Sequence, residues 1–187
     1  MTIAYRSMLL ADADQISSLA DVLVGTGYYP PETVRSYLER STANGLVLSY
    51  VATAESQIVA FRFTFAPGRW DSGRGKGLTV DRWPTALEKT GYFQSCFVDD
   101  AYMGKGIGRE LASRSIGALR EARAEAVVAH CWKESPHNSS FRYLSKLGFE
   151  AVAEYPGYWS EIDYVCRLDG QPCQCTAIEM VKDLIVG

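Results

Sequence analysis

Apolar and polar positions along this chain follow two rhythms that take turns, one of period two and one near 3.6. Ile3 to Met8 reads as a first strand. Ile16, Leu19, Ala20 and Leu23 then recur at helical spacing, which predicts a helix to about Val24, with Asp12 or Asp14 able to cap it. Gly25-Thr26-Gly27 ends that helix, and Pro30-Pro31-Glu32 opens a second one, Thr33 to about Thr42, because proline suits a first helical turn. Leu46–Thr53 and Ile58–Phe65 read as a hairpin joined through Ala54–Gln57. A strand at Tyr92–Val98 follows, then a helix from about Gly106 to Ala124 and a strand at Ala126–Trp132. A helix from about Asn138 to Leu147 and closing strands at Phe149–Tyr155 and Ile162–Cys166 complete the expected core. The order is an alternating α/β one, without internal repeats or low-complexity tracts.

Composition narrows the class. A chain of 187 residues with 47% hydrophobic and 22% charged positions suits one globular domain, here residues 1–187, with a cysteine-containing extension from about residue 166. The net charge of −3 gives no electrostatic reason to expect nucleic acid or an anionic membrane as a partner. No apolar run approaches the roughly 20 residues that span a bilayer, and the opening Met1–Arg6 lacks the apolar centre of a signal peptide. A cytoplasmic location is the expectation, and an odd count of five cysteines argues against a full disulfide framework.

The richest stretch runs from Phe97 and Val98 through Met103-Gly104-Lys105-Gly106-Ile107-Gly108-Arg109. A strand feeds a turn with glycine at alternate positions, and a helix starts at once. Glycine lets a backbone come close to a ligand, and a helix N-terminus offers unpaired N–H groups and the positive end of its dipole. A phosphate or pyrophosphate suits such a place. The spacing is not that of a P-loop, which needs Ser or Thr after Gly-Lys, and it misses the dinucleotide fingerprint by one position.

Val98 to Gly108 resembles the acyl-CoA-binding signature of the GNAT N-acetyltransferase superfamily, with Gly106 and Gly108 at the pattern's last glycines and Met103 where the family carries Gln or Arg. Ser135 to Phe149 is similar to the family's Asn-containing helix ending in Lys-Leu-Gly-Phe. The resemblance implies a single-domain mixed, mostly antiparallel sheet flanked by helices. It also implies acetyl-CoA as cosubstrate, and an acetyl transfer to a primary amine by direct attack. The acceptor would be a small-molecule amine or a protein amine, and a homodimer is a further expectation. A non-catalytic acyl-CoA-binding or sensing module is the alternative. Aligned on Lys146–Phe149, His137 falls at the family's Asn, with Asn138 adjacent, and either could bind the cofactor. Leu144 falls where the family often places a tyrosine as general acid, with Tyr143 one helical step away, where it could be an acid, bind the cofactor or pack.

Direct acyl transfer needs a neutral amine, a stabilised oxyanion and a departing thiolate, so Cys96 need not be a nucleophile. Candidate bases are Glu134, His130, His137 and Glu88. Glu134 is the first choice, because it follows the strand Ala126–Trp132 at the end where open α/β sheets place ligands. His130 lies in an apolar strand and reads as a core histidine.

Two further segments stand out. Pro67–Trp83 is long, basic and carries Trp70 and Trp83, so it reads as a wall over the acceptor or as a surface excursion. The tail Cys166-x-x-Asp169-Gly170-x-Pro172-Cys173-x-Cys175 has ligand-like spacing, and three thiolates with a carboxylate could hold a tetrahedral structural zinc that pins Thr176–Leu184 to the domain. Free thiols or one disulfide are the alternatives. The tail also resembles that of a GNAT subgroup with Cys-x-x-Cys-Gly-x-Pro-Cys-x-Cys, in which Asp169 stands at the second cysteine.

Overall fold

The computed structural model describes residues 2–70 and 78–185. Residues 71–77, within the Pro67–Trp83 segment, lie outside them. In chain order the elements are β1 (Ile3–Ser7), α1 (Ala13–Leu23), α2 (Pro31–Arg40), β2 (Thr42–Ala43), β3 (Leu46–Val47), β4 (Tyr50–Ala54) and β5 (Gln57–Phe65). Then come β6 (Thr90–Val98), α3 (Ile107–Glu121), β7 (Ala126–Trp132), α4 (Ser139–Lys146), β8 (Glu150–Tyr155) and β9 (Ala177–Asp183).

Seven strands form one sheet in the order β1-β4-β5-β6-β7-β9-β8. Among the described residues only β6 and β7 run parallel, with α3 supplying the crossover that a parallel pair requires. The other neighbours are antiparallel. The connection between β4 and β5 is a two-residue loop in which Glu55 and Ser56 both take positive φ, 49° and 72°. That is the sense of turn whose twist matches flanking strands.

Strand alternation sends side chains to two opposite faces. On one face Ile16 and Ala20 of α1 and Val34 and Leu38 of α2 pack on Phe61, Phe63 and Phe65. On the other, Ala112, Ile116 and Leu119 of α3 and Leu144 of α4 pack on Phe93, Val127 and Ala129. Asp12 precedes α1 but turns backward. It accepts from Leu9 N–H at 2.8 Å and takes both Arg6 guanidinium nitrogens at 2.7 Å, closing the β1–α1 corner.

Three expectations change. The predicted strand Leu46–Thr53 is broken at Leu48 and Ser49, whose N–H groups are drawn to Ser41 at the end of α2 (2.9 and 3.0 Å). Ile162–Cys166 is not a strand. Tyr164 and Cys166 are buried in alternation, but they point inward from a turn-rich excursion against α1 and α2. The closing strand is instead β9, inserted between β7 and β8, so the segment expected to be pinned on from outside is central sheet. Its buried Glu179 interrupts an otherwise apolar run, which disguised it.

Candidate active site

The turn after β6 builds an open cradle. The Asp99 carboxylate accepts from Ala101 N–H at 2.9 Å and starts a short 3-10 turn. Gly104 and Gly106 follow in the left-handed region, at φ 75° and 77°. A Cβ on either would meet nothing within 4 Å, so glycine is set there by backbone conformation, and the space in front is open. The first bond into α3 is Glu110 N–H to Gly106 O at 3.1 Å. The N–H groups of Ile107, Gly108 and Arg109 therefore belong to the unpaired helix start. Ile107 anchors the turn in the core, while Met103, Lys105 and Arg109 are exposed. Lys105 folds back, its Nζ donating to Ala101 O at 3.2 Å and lying 4.6 Å from the Tyr102 ring centre. Gly108 faces inward, where a Cβ would touch the Tyr143 ring at 3.6 Å and the Cys96 sulfur at 3.8 Å.

Beside the cradle the sheet opens. The β6–β7 ladder stops at Phe93 opposite Ala129, although β6 continues to Val98 and β7 to Trp132. On its far edge β6 stays paired with β5 as far as Val98, and β7 stays paired with β9 as far as Trp132. The facing edges of Gln94–Val98 and His130–Trp132 thus diverge, leaving strand backbone that an extended amide chain can pair with.

Tyr143 ties α4 to this region. Arg62 of β5, 2% exposed, lies 4.0 Å over the Phe93 ring and donates to the Tyr143 hydroxyl at 2.9 Å. That hydroxyl donates in turn to Gly108 O at 2.7 Å. Burial pushes the Tyr143 phenol above its usual range despite the neighbouring guanidinium, so the proton stays on the oxygen. His137 and Asn138 stand exposed in the turn before α4, both with left-handed φ (55° and 53°). Phe97 packs on Tyr28, Tyr29 and Phe61, and Val98 packs on the opposite face among Ala60, Ile107 and Leu111.

On the α1–α2 side of the opening sits a buried polar cluster that sequence reasoning did not assemble. His130 is the first β7 residue beyond the β6 ladder and is 8% exposed. Its Nδ1 lies 3.2 Å from the Tyr92 hydroxyl and its Nε2 lies 3.3 Å from Glu179 Oε2. Tyr158 stacks on the imidazole at 4.5 Å. Glu179 also accepts from Trp83 Nε1 at 2.9 Å and Thr79 N–H at 3.1 Å. Burial alone would raise the Glu179 carboxyl, but His130, Trp83 and Thr79 outweigh it and hold it below its ordinary value, so it is anionic at neutral pH. Trp83 therefore packs down on the sheet, and Trp70 stacks on Tyr92 at 4.8 Å. The described ends of the Pro67–Trp83 segment form a wall here. Glu179 had no signal in the sequence, because its strand went unrecognised.

Glu134 is exposed just beyond β7 and accepts from Thr176 N–H at 3.0 Å, bracing the entry to β9. Glu88 is exposed in a 3-10 turn. The buried Cys131 thiol is pushed up to about 12 by desolvation and stays protonated. In the tail, Cys166, Asp169, Cys173 and Cys175 come together, their donor atoms all within 4.8 Å of one another.

A sheet opened between two parallel strands, next to a glycine turn and a helix N-terminus, fits the fold that the family resemblance implies, and comparison agrees. Residues 26–149 match the acetyltransferase (GNAT) family model, and the chain belongs to that family. It is 31% identical over 104 residues to the L-methionine sulfoximine/L-methionine sulfone acetyltransferase of Salmonella typhimurium, an alignment covering 52% of this chain and 53% of the relative. The chain thus spans about half the length of that curated relative. Among solved structures it resembles YncA of Salmonella typhimurium with its cofactor acetyl-CoA (TM-score 0.68, 20% identity, 98% of this chain and 95% of that one). It also resembles a chain of the NatC complex bound to Gag peptide and CoA (TM-score 0.70, 16% identity, 98% and 99%). These likenesses establish the fold.

Proposed function

We propose that this protein is an acetyl-CoA-dependent N-acetyltransferase acting on the primary amine of a small α-amino compound. One observation carries the reading: the β6 edge opens after Phe93 and leads straight to the glycine cradle at the start of α3. The cradle suits a pyrophosphate, and the open edge suits an amide-containing arm lying along β6. Acetyl-CoA supplies an activated acyl group there. The opposite face carries Tyr29 on Ser95 (3.1 Å) and Gln94 on Tyr37 (3.4 Å), a polar row suited to a small polar acceptor. The activity named for the Salmonella relative supports an α-amine.

The amine must lose a proton as it attacks the thioester carbonyl, and the thiolate must leave. His130 suits the first task better than Glu134. Glu134 is committed to a backbone N–H in solvent, whereas His130 stands at the vertex of the opening with an anionic carboxylate behind it. The Tyr92 hydroxyl lies 3.2 Å from His130 Nδ1, and in this reading it relays the proton: the amine proton passes to the Tyr92 oxygen as the Tyr92 proton moves to His130 Nδ1. Glu179 then stabilises the imidazolium. No covalent enzyme intermediate is formed. A thiol-release assay with acetyl-CoA and a panel of amines tests this. Turnover with α-amino acids and their sulfone or sulfoximine analogues is expected. Tight acetyl-CoA binding without turnover on any amine would instead make the chain a binding module, and turnover on peptide N-termini alone would make the acceptor a protein.

A further inference from the structure

The tail cluster lies apart from the cradle, in the apolar core formed with α1 and α2. Cys166, Cys173 and Cys175 are 8%, 1% and 3% exposed, and all are free thiols. Cys166 and Cys175 sulfurs are 3.9 Å apart. Asp169 oxygens lie 3.4 and 3.5 Å from the Cys175 sulfur and 3.9 Å from the Cys166 sulfur. A disulfide needs an S–S distance near 2.05 Å. A tetrahedral zinc with bonds of about 2.3 Å to sulfur and about 2.0 Å to oxygen needs donor separations of about 3.5–3.8 Å. Cys166, Asp169 and Cys175 are spaced for the ion, and the Cys173 sulfur lies within 4.8 Å of their donor atoms.

The backbone supports this arrangement. Cys166 and Gly170 exchange both backbone hydrogen bonds at 2.9 Å, a tight loop that brings the donors at 166 and 169 together, with Gly170 at φ 76°. Gln174 N–H donates to Asp169 Oδ2 at 2.8 Å and orients the carboxylate. The buried Trp132 indole N–H has no hydrogen-bond partner among the described residues, and Trp132 packs on the core cluster that holds the three cysteines. An N–H at that place suits a thiolate ligand, since donors beside metal-bound groups fix their orientation and offset their charge.

We propose that Cys166, Cys173, Cys175 and Asp169 bind one zinc ion, and that the ion clamps the loop between β8 and β9 onto the acceptor side of the molecule. Three thiolates select a soft ion over magnesium or calcium. The loop it would hold reaches two parts of the site. Tyr158, whose N–H donates to Cys175 O at 3.2 Å, is the ring stacked on His130. Tyr164 packs on Tyr28 at 4.8 Å, and Arg167 N–H donates to Val24 O at 3.2 Å. At that contact a Cβ on Gly25 would lie 2.0 Å from Val165 O, so the corner after α1 and the loop are fitted to each other. Since β9 is central sheet, the ion holds this loop rather than the C-terminal strand.

The test uses the full chain purified without chelator. Metal analysis is expected to give about one zinc per chain, with Cys166, Cys173 and Cys175 protected from thiol reagents until a chelator is added. Cobalt loaded in its place should show intense thiolate charge-transfer absorption and the visible bands of a tetrahedral site. Cys173→Ser should abolish uptake. Asp169→Ala should weaken it, and Asp169→Cys should strengthen it and keep the cobalt spectrum tetrahedral, which separates ligand loss from misfolding. Chelation should lower Tm and raise hydrogen exchange in residues 156–176 and around Gly25. A folded wild-type chain that takes up less than about 0.1 zinc per chain at micromolar free zinc overturns the proposal. Uptake unchanged in both Asp169→Ala and Cys173→Ser would overturn the assignment of these ligands.

Discussion

At the scale of single residues, the proposed reaction rests on a histidine and the carboxylate behind it. His130 and Glu179 sit on neighbouring strands, 49 residues apart in the chain, and meet only because β9 pairs with β7 in the register His130 opposite Glu179. His130→Gln is expected to lower kcat by roughly 10²-fold, the scale of a lost general base, and to leave acetyl-CoA affinity unchanged. Glu134→Gln is expected to keep wild-type turnover and lose only modest stability. The reverse pattern would return the role to Glu134. Glu179 also makes a pH prediction. Its folded pKa lies below its ordinary 4.5, so it stabilises the fold above about pH 4.5, and the contribution disappears as pH falls through the lowered value. The stability difference between wild type and Glu179→Gln, measured by denaturant unfolding, should therefore shrink on acidification below about pH 4.5. A difference that grows there would contradict the anionic assignment. In the sequence, His130 looked like any histidine inside an apolar strand; only the partner on an unrecognised strand changes that.

At the scale of elements, the strand-turn-helix from β6 to α3 was legible because its signals are local: an apolar run, glycines where φ turns positive, and an amphipathic helix. The hairpin of β4 and β5 was legible for the same reason. Its turn, however, places Glu55 and Ser56 in a conformation that glycine and asparagine adopt more easily. Replacing Glu55-Ser56 by Asn-Gly should stabilise the domain by about 0.5–2 kcal/mol without touching activity; a loss of stability in chemical denaturation would mean the two side chains matter in some other way. The elements that were not legible depend on long-range placement. Alternation in Ile162–Cys166 imitates a strand, but those inward positions are filled by a loop on α1–α2. Ala177–Asp183 is a strand whose one buried charge is satisfied by Trp83 and Thr79 from a distant wall.

At the scale of the whole molecule, the sheet separates two tasks. The α3–α4 side carries the glycine cradle, with Gly108 held by Tyr143 and Arg62. The α1–α2 side carries the polar row, the His130 cluster and the cysteine loop. The opening between β6 and β7 lies between these two sides. The family resemblance was readable from two segments, and the fold it implied is the one found. The division of faces was not readable, because it arises from where one ladder stops. The most direct measurement of the account is acetyl-group transfer itself, followed by mass spectrometry of the acceptor in the presence of acetyl-CoA, with Gly106→Val as a folded comparison. Wild type is expected to convert an α-amine to its N-acetyl form with one thiol released per product, and Gly106→Val, whose side chain is forced into left-handed backbone and into the open cradle, to lose acetyl-CoA binding and transfer together. Transfer retained at the wild-type rate in that variant would contradict this expectation, as would wild-type thiol release with no acetylated amine formed.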